Sequence, residues 1–145
     1  MFARWQSDPP GLLWDMSSTK VLIADDHEVI RTGVRLLLDT DGYEVVAEAA
    51  NGQIAIDLTA EHSPDIVIMD VDMPHLDGIE ATRRLKEAHP DARVLILSAE
   101  SRNTLAEEAQ AAGAAGLVDK YSCVEELPRA LGALLNGENW FPVRV

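Results

Sequence analysis

Five short apolar runs limit what this chain can become: VLIA at 21–24, YEVVA at 43–47, IVIM at 66–69, VLIL at 94–97 and AGLV at 115–118. Four of them are nearly continuous in apolar character, as expected of parallel strands covered on both faces. The second alternates more and suits a strand nearer a sheet edge. Between the runs lie segments of helical spacing, carried by Ile30, Val34, Leu37 and Leu38, then in part by Ile54, Ile56 and Leu58. Further along come Ile79, Thr82 and Leu85, then Leu105, Ala109 and Ala112, and last Val124, Leu127, Leu131, Leu134 and Leu135. Asp41-Gly42, Pro64, Pro90, Gly113 and Asn136-Gly137 supply stops. Five successive βα units predict an α/β fold, a doubly wound five-stranded parallel sheet with helices on both faces.

In such folds ligands sit beyond the carboxyl ends of the strands. Asp25 and Asp26 follow the first run, Asp70 the third, Ser98 the fourth and Lys120 closely follows the fifth. These groups should therefore meet on one rim. Close carboxylates repel and raise one another's pKa, and a hard cation relieves this. Mg²⁺ suits oxygen ligands and keeps room for phosphate oxygens. A lysine and a hydroxyl beside it supply charge neutralisation and a hydrogen-bond donor for a phosphoryl group. Taken singly, Asp26 reads as a helix cap, Ser98 as a turn residue and Lys120 as a solvated charge. Caps do not explain all five at four consistent strand ends.

Composition narrows the function further. The 145 residues carry 25 acidic against 12 basic side chains, a net charge of −13. That balance excludes binding of a phosphate backbone by these residues and disfavours an anionic membrane surface. The single cysteine, Cys123, excludes an internal disulfide and a cysteine-based zinc site, and fits a reducing compartment, hence the cytoplasm. No apolar run is long enough to span a bilayer. Residues 1–18 lack a helical or strand period and an apolar signal core, and read as a disordered leader, or as a misassigned start with Met16 the natural one. A sharper reading docks Leu12, Leu13 and Trp14 on the domain or a partner.

The segments VLIADDHEVIRTGVRLLL, PDIVIMDVDMPHLDGIEATRRL, VLILSAES and GAAGLVDK together resemble the receiver domain of bacterial response regulators. The resemblance covers residues 19–137 and implies a flavodoxin-like, CheY-like fold. ADDHEVIRTGVRLLL and GENWFP are similar to the NarL/FixJ type, whose receivers precede a LuxR-like helix-turn-helix. Residues 138–145 then read as the start of a linker to such a domain, through which alone DNA would be bound.

The resemblance implies specific roles. Asp70 is the phosphoacceptor. Asp26 ligates Mg²⁺ directly, Asp25 mainly through water, and Asp72 through its backbone carbonyl. Ser98 and Lys120 contact the phosphoryl group, with N–H groups near Asp72 and Ala99. Pro74 and Gly78 shape the loop after the acceptor, and Asp72 and Glu100 flank the path of the hydrolytic water. The donor is a phosphohistidine on a sensor histidine kinase, and the activated protein forms a homodimer. The domain is then no enzyme for an external substrate; it catalyses only its own phosphorylation and dephosphorylation. Two alternatives stay open: a haloacid-dehalogenase-like phosphatase, suggested by IVIMDVD at 66–72, and an atypical receiver that works without phosphate.

Departures from the family pattern cluster late in the chain. Leu117 stands at a switch position usually aromatic, and should stay packed in both states. Asp119 replaces an apolar residue. Tyr121 follows the lysine, with packing its plainest role and replacement of part of the readout missing at Leu117 the alternative. Pro128 falls within the last helix, which should then start distorted or 3₁₀-like behind a Ser122 cap and be regular only from about Glu126.

Overall fold

The computed structural model describes residues 18–99 and 104–142; the leader reading, with Leu12, Leu13, Trp14 and Met16, lies outside them except for residue 18, and so does the water-path reading for Glu100. The elements run β1 (Lys20–Ala24), α1 (Glu28–Thr40), β2 (Glu44–Ala49), α2 (Gly52–His62), β3 (Ile66–Asp70) and α3 (Gly78–Ala88). They continue with β4 (Arg93–Ser98), α4 (Leu105–Ala112), β5 (Gly116–Asp119), a 3₁₀ turn (Lys120–Ser122) and α5 (Cys123–Leu135). The five strands form one parallel sheet in the order β2-β1-β3-β4-β5. Among the described residues no helix is long and apolar enough to cross a membrane.

Continuous apolar strands are required because both faces are covered. Val21, Ile23, Ile66, Ile68, Leu95, Leu97 and Val118 point to the side of α1 and α5. Their neighbours Leu22, Ala24, Val67, Met69, Val94, Ile96 and Leu117 point to the side of α2, α3 and α4. Period-two alternation thus serves two cores at once. The second run does form an edge strand, and its pairing with β1 slips between Val21 and Leu22, opposite Val45 and Ala47. Bulges are common at sheet edges.

The helices follow the expected faces with three differences. On α2 the buried residues are Ala55 and Thr59 with Gly52, while Ile54 is exposed. Small side chains let this helix lie close to the sheet. On α5, Leu127, Leu131 and Leu134 are buried, but Val124 and Leu135 face outward. Pro128 does not break α5, which is helical from Cys123 through Leu135, so the expected late start at Glu126 is incorrect. A 3₁₀ turn is present, but upstream, where the Asp119 carboxylate accepts from the Tyr121 N–H at 2.8 Å. Pro128 removes the N–H that would bond the Val124 carbonyl, and both residues are exposed, so the lost bond falls on the solvent side of the helix. Ser122 is the N-cap but makes no side-chain cap bond.

Residues 138–140, past α5, also bond to the domain. The Trp140 N–H donates to the Ala115 carbonyl at 2.9 Å, and the Leu117 N–H to the Trp140 carbonyl at 2.8 Å. Arg93 holds the Glu138 carbonyl at 2.7 Å, and Arg129 lies over the Trp140 ring. The free edge of β5 is thereby partly covered. Gly116 permits the approach, since a Cβ there would lie 2.9 Å from the Trp140 carbonyl oxygen.

Gly78 carries the tightest constraint. A Cβ at this position would stand 1.9 Å from the Asp70 carbonyl oxygen, and its N–H bonds the Val71 carbonyl at 2.8 Å. The start of α3 is therefore pressed against the end of β3. Gly78→Ala should destabilise the domain by about 3 kcal/mol. Gly33→Ala, in exposed helix with nothing near a new Cβ, should stabilise it by about 0.5–1 kcal/mol. Urea unfolding of the two variants checks this pair of opposite signs.

Candidate functional site

Strand order decides which side chains meet. The chain leaves β1 in opposite directions to reach β2 and β3, so a crevice opens at the carboxyl ends of β1 and β3. Asp25 follows β1 and Asp70 ends β3, and both are buried. Ser98 ends β4, the strand between β3 and β5, and is buried too. Its small side chain leaves room for a longer one to cross from β5. Lys120 makes that crossing, with Nζ 2.9 Å from Asp25 Oδ2 and 3.0 Å from Asp70 Oδ1.

The electrostatics follow from this geometry. Burial raises the Asp70 carboxyl above the usual carboxylate range, and nearby Asp25 adds to the rise; Lys120 and the Asp72 N–H pull the other way. Burial acts to lower the Lys120 ammonium, but close pairing with Asp25 and Asp70 outweighs it and leaves it raised. One ammonium thus serves two buried acids. It does not satisfy every lone pair. Asp70 Oδ2 is buried without a hydrogen-bond partner, and Asp25 Oδ2 meets Lys120 as an ion pair without good hydrogen-bond geometry.

The acid loop after β1 is held from two sides. The His27 N–H donates to Asp25 Oδ1 at 2.8 Å. Arg31 on α1 donates to the Asp25 carbonyl at 2.5 Å and to Glu48 on β2 at 3.1 Å, while Arg35 also pairs with Glu48. Asp26 is not the cap of α1: His27 holds that position and makes no side-chain cap bond. The Asp26 carboxylate is left for other use. Across the crevice, the loop after β3 turns at His75, whose φ of 70° accompanies a bond from the Leu76 N–H to the Pro74 carbonyl at 2.8 Å. Asp77 then caps α3 through the Glu80 N–H.

Of the residues singled out by sequence, Asp25, Asp26, Asp70 and Lys120 are brought together. The Asp72 carboxylate is exposed and lies apart from the acid cluster, so only its backbone faces Asp70. Ala99 is exposed just past Ser98. Leu117 is buried below the rim. Tyr121 is 85% exposed and packs on nothing that buries it, so the packing role expected of it is incorrect. The Asp119–Tyr121 turn bond explains this by directing the chain outward. Two residues were not foreseen. His27 joins Asp25, Asp26 and Asp70 in the group able to hold a metal, and Arg31 fixes the acid loop. The signals were the histidine directly after two acids, and arginines one helical turn apart facing an acidic edge strand.

This donor set fits a hard divalent cation. It offers carboxylate oxygens, one buried and unpartnered, with lysine as the competing charge. An α/β sheet with three acids and a lysine on its carboxyl rim is the arrangement that the resemblance to receiver domains implies. The chain belongs to the response regulator receiver domain family, matching it over residues 21–132. It is the receiver domain of a two-component response regulator, and the phosphatase alternative is not favoured. It is 36% identical over 127 residues to the response regulator GacA of Pseudomonas aeruginosa, covering 87% of this chain and 59% of that protein. It is 37% identical over 123 residues to the Bordetella pertussis transcription regulator BvgA, covering 85% of this chain and 59% of that one. The chain therefore spans about three fifths of the length of these relatives. Among solved structures, a LuxR-family two-component response regulator from Aurantimonas sp. SI85-9A1 superposes with a TM-score of 0.82 at 41% identity, covering 86% of this chain and 89% of that one. The isolated receiver domain of RcsB from Salmonella enterica serovar Typhimurium, solved with the phosphomimetic BeF₃⁻, gives 0.79 at 26% identity, covering 86% and 94%.

The raised Asp70 pKa has a consequence for stability. The ionised form is penalised in the folded chain, so the penalty is present above the folded pKa and absent below the unfolded one, where both states are protonated. Asp70→Asn should raise the urea midpoint at neutral pH, and the gain should shrink as pH falls toward the carboxylate range. A gain independent of pH would contradict the assignment of burial as the cause.

Proposed function

We propose that this receiver accepts a phosphoryl group on Asp70 from the phosphohistidine of a sensor histidine kinase, with Mg²⁺ held by Asp25, Asp26, Asp70 and the Asp72 carbonyl. The observation that carries the reading is Lys120 at 2.9 and 3.0 Å from two buried carboxylates, the charge needed once an acceptor oxygen becomes a phosphoryl oxygen. Bound Mg²⁺ would neutralise charge on the transferring phosphoryl oxygens. A carboxylate is a weak nucleophile, but phosphoryl transfer passes through a loose transition state in which positioning and charge stabilisation count most. An Asp70 oxygen forms the new bond to phosphorus as the donor's P–N bond breaks, and the leaving imidazole takes a proton. Lys120 shifts its pairing from the free carboxylates to the phosphoryl oxygens. Ser98 donates its hydroxyl, and the Ala99 N–H adds a second donor.

The output follows from the same change. An acyl phosphate places new charge and acceptor oxygens at a packed rim, and Ser98 responds by forming a bond that exists in one state only. Leu117 stays packed below, so it adds little bias of its own. Val29 and Leu36 on α1, and Val124 and Leu135 on α5, are exposed apolar side chains on the two helices of one sheet face. They support a homodimer through α1 and α5 on activation. Residues 138–145 lead on to a helix-turn-helix domain that binds DNA, and the protein works in the cytoplasm without membrane contact.

Acetyl phosphate with Mg²⁺ should add one phosphoryl group by intact mass. Asp70→Asn should abolish the addition and chelation should slow it strongly. Equal modification of the Asp70→Asn protein would overturn the reading.

A further inference from the structure

Among the described residues, the group able to hold a metal contains one candidate ligand atom that is not an oxygen. His27 Nδ1 lies 3.3 Å from Asp25 Oδ1 and 3.1 Å from Asp26 Oδ1. One ligand atom from each of Asp25, Asp26, His27 and Asp70 falls within 4.8 Å of all the others. The ring is 66% exposed, so it can turn, whereas its backbone is tied down by the N–H bond to Asp25. The buried, unpartnered Asp70 Oδ2 independently shows that the cluster is short of a positive or donating group. The imidazole nitrogen thus lies beside the carboxylates of the same loop.

We propose that His27 is a direct ligand for a divalent cation at this rim, and that it makes the site favour later first-row transition ions over Mg²⁺. The inference rests on the rim being a cation site, as proposed above. Carboxylates and waters suit Mg²⁺, which gains little from a nitrogen donor. Affinity of a mixed nitrogen and oxygen site rises from Mn²⁺ through Co²⁺ to Ni²⁺, and an imidazole steepens that rise. Three acids alone select by charge and size. The same acids with one imidazole also select by donor type. The competing role is simpler: His27 donates a hydrogen bond to the two carboxylates and must leave when a cation arrives. In that case its removal strengthens every cation alike.

The two roles separate in titrations of tag-free protein with Mg²⁺ and with Co²⁺, followed by calorimetry, for the native chain and for His27→Ala. The expected result is a loss of Co²⁺ affinity at least on the order of tenfold, what even an outer-shell partner gives, with Mg²⁺ nearly unchanged. Pulsed electron paramagnetic resonance of the native chain with Mn²⁺ provides a readout that needs no variant, and should show coupling to a directly bound ¹⁴N nucleus. Equal changes for both cations, or Mn²⁺ bound without ¹⁴N coupling, would overturn the role of His27 while leaving the cation site intact. Absence of Mg²⁺ binding to the native chain would instead overturn the cation site and this inference with it.

Discussion

One ammonium held between two buried carboxylates is the interaction on which the rest of the structure depends. Asp25 and Asp70 both have side chains 2% exposed, and Lys120 is 14% exposed. Unpaired charges so placed would cost several kcal/mol each. Even paired, the arrangement gives the fold little, because desolvation offsets attraction and a third charge is left over. On the function proposed above, the cluster is poised for a cation and a phosphoryl group.

The fold serves that cluster at a distance. Parallel strands buried on both faces fix their carboxyl ends to within a residue, and order β2-β1-β3-β4-β5 sets Asp25 beside Asp70. Ser98, small, ends the strand that Lys120 must cross. Gly78 lets α3 press on the Asp70 backbone, and Arg31 ties the opposite loop to α1 and β2. The acids are thus held by rigid elements on both sides, a requirement for a site whose work is positioning.

Much of this was legible in the sequence, for physical reasons. A continuous apolar run ending abruptly in a polar residue has few readings, so the rim residues Asp25, Asp70, Ser98 and Lys120 stood out together. The edge position of β2 showed in its weaker apolar run. What the sequence hid depends on direction and on tertiary contact. Helical spacing on α2 pointed to Ile54, but the sheet approaches so closely that Ala55 and Thr59 fill the contact instead. Pro128 suggested a distorted start with regular helix only from about Glu126, yet α5 is helical from Cys123, and the exposure of Pro128 and Val124 lets the missing hydrogen bond be tolerated. Tyr121 looked like a packing residue until the Asp119 turn bond sent it outward. His27 joins the site through a rotamer that no pattern encodes, and GENWFP did not announce a pairing of Trp140 with β5.

The central claim is that Lys120 is there to hold two acids. A stability cycle tests it most directly, comparing Lys120→Met in the native chain and in the Asp25→Asn/Asp70→Asn background by urea unfolding at neutral pH without divalent ions. Removing the ammonium beside two buried carboxylates should cost about 3 kcal/mol. Removing it beside two neutral amides should cost less than about 1 kcal/mol, the difference being a coupling of the size neighbouring groups show. An equal cost in both backgrounds would contradict the account, since Lys120 would then stabilise the fold by packing its stem and not by its charge.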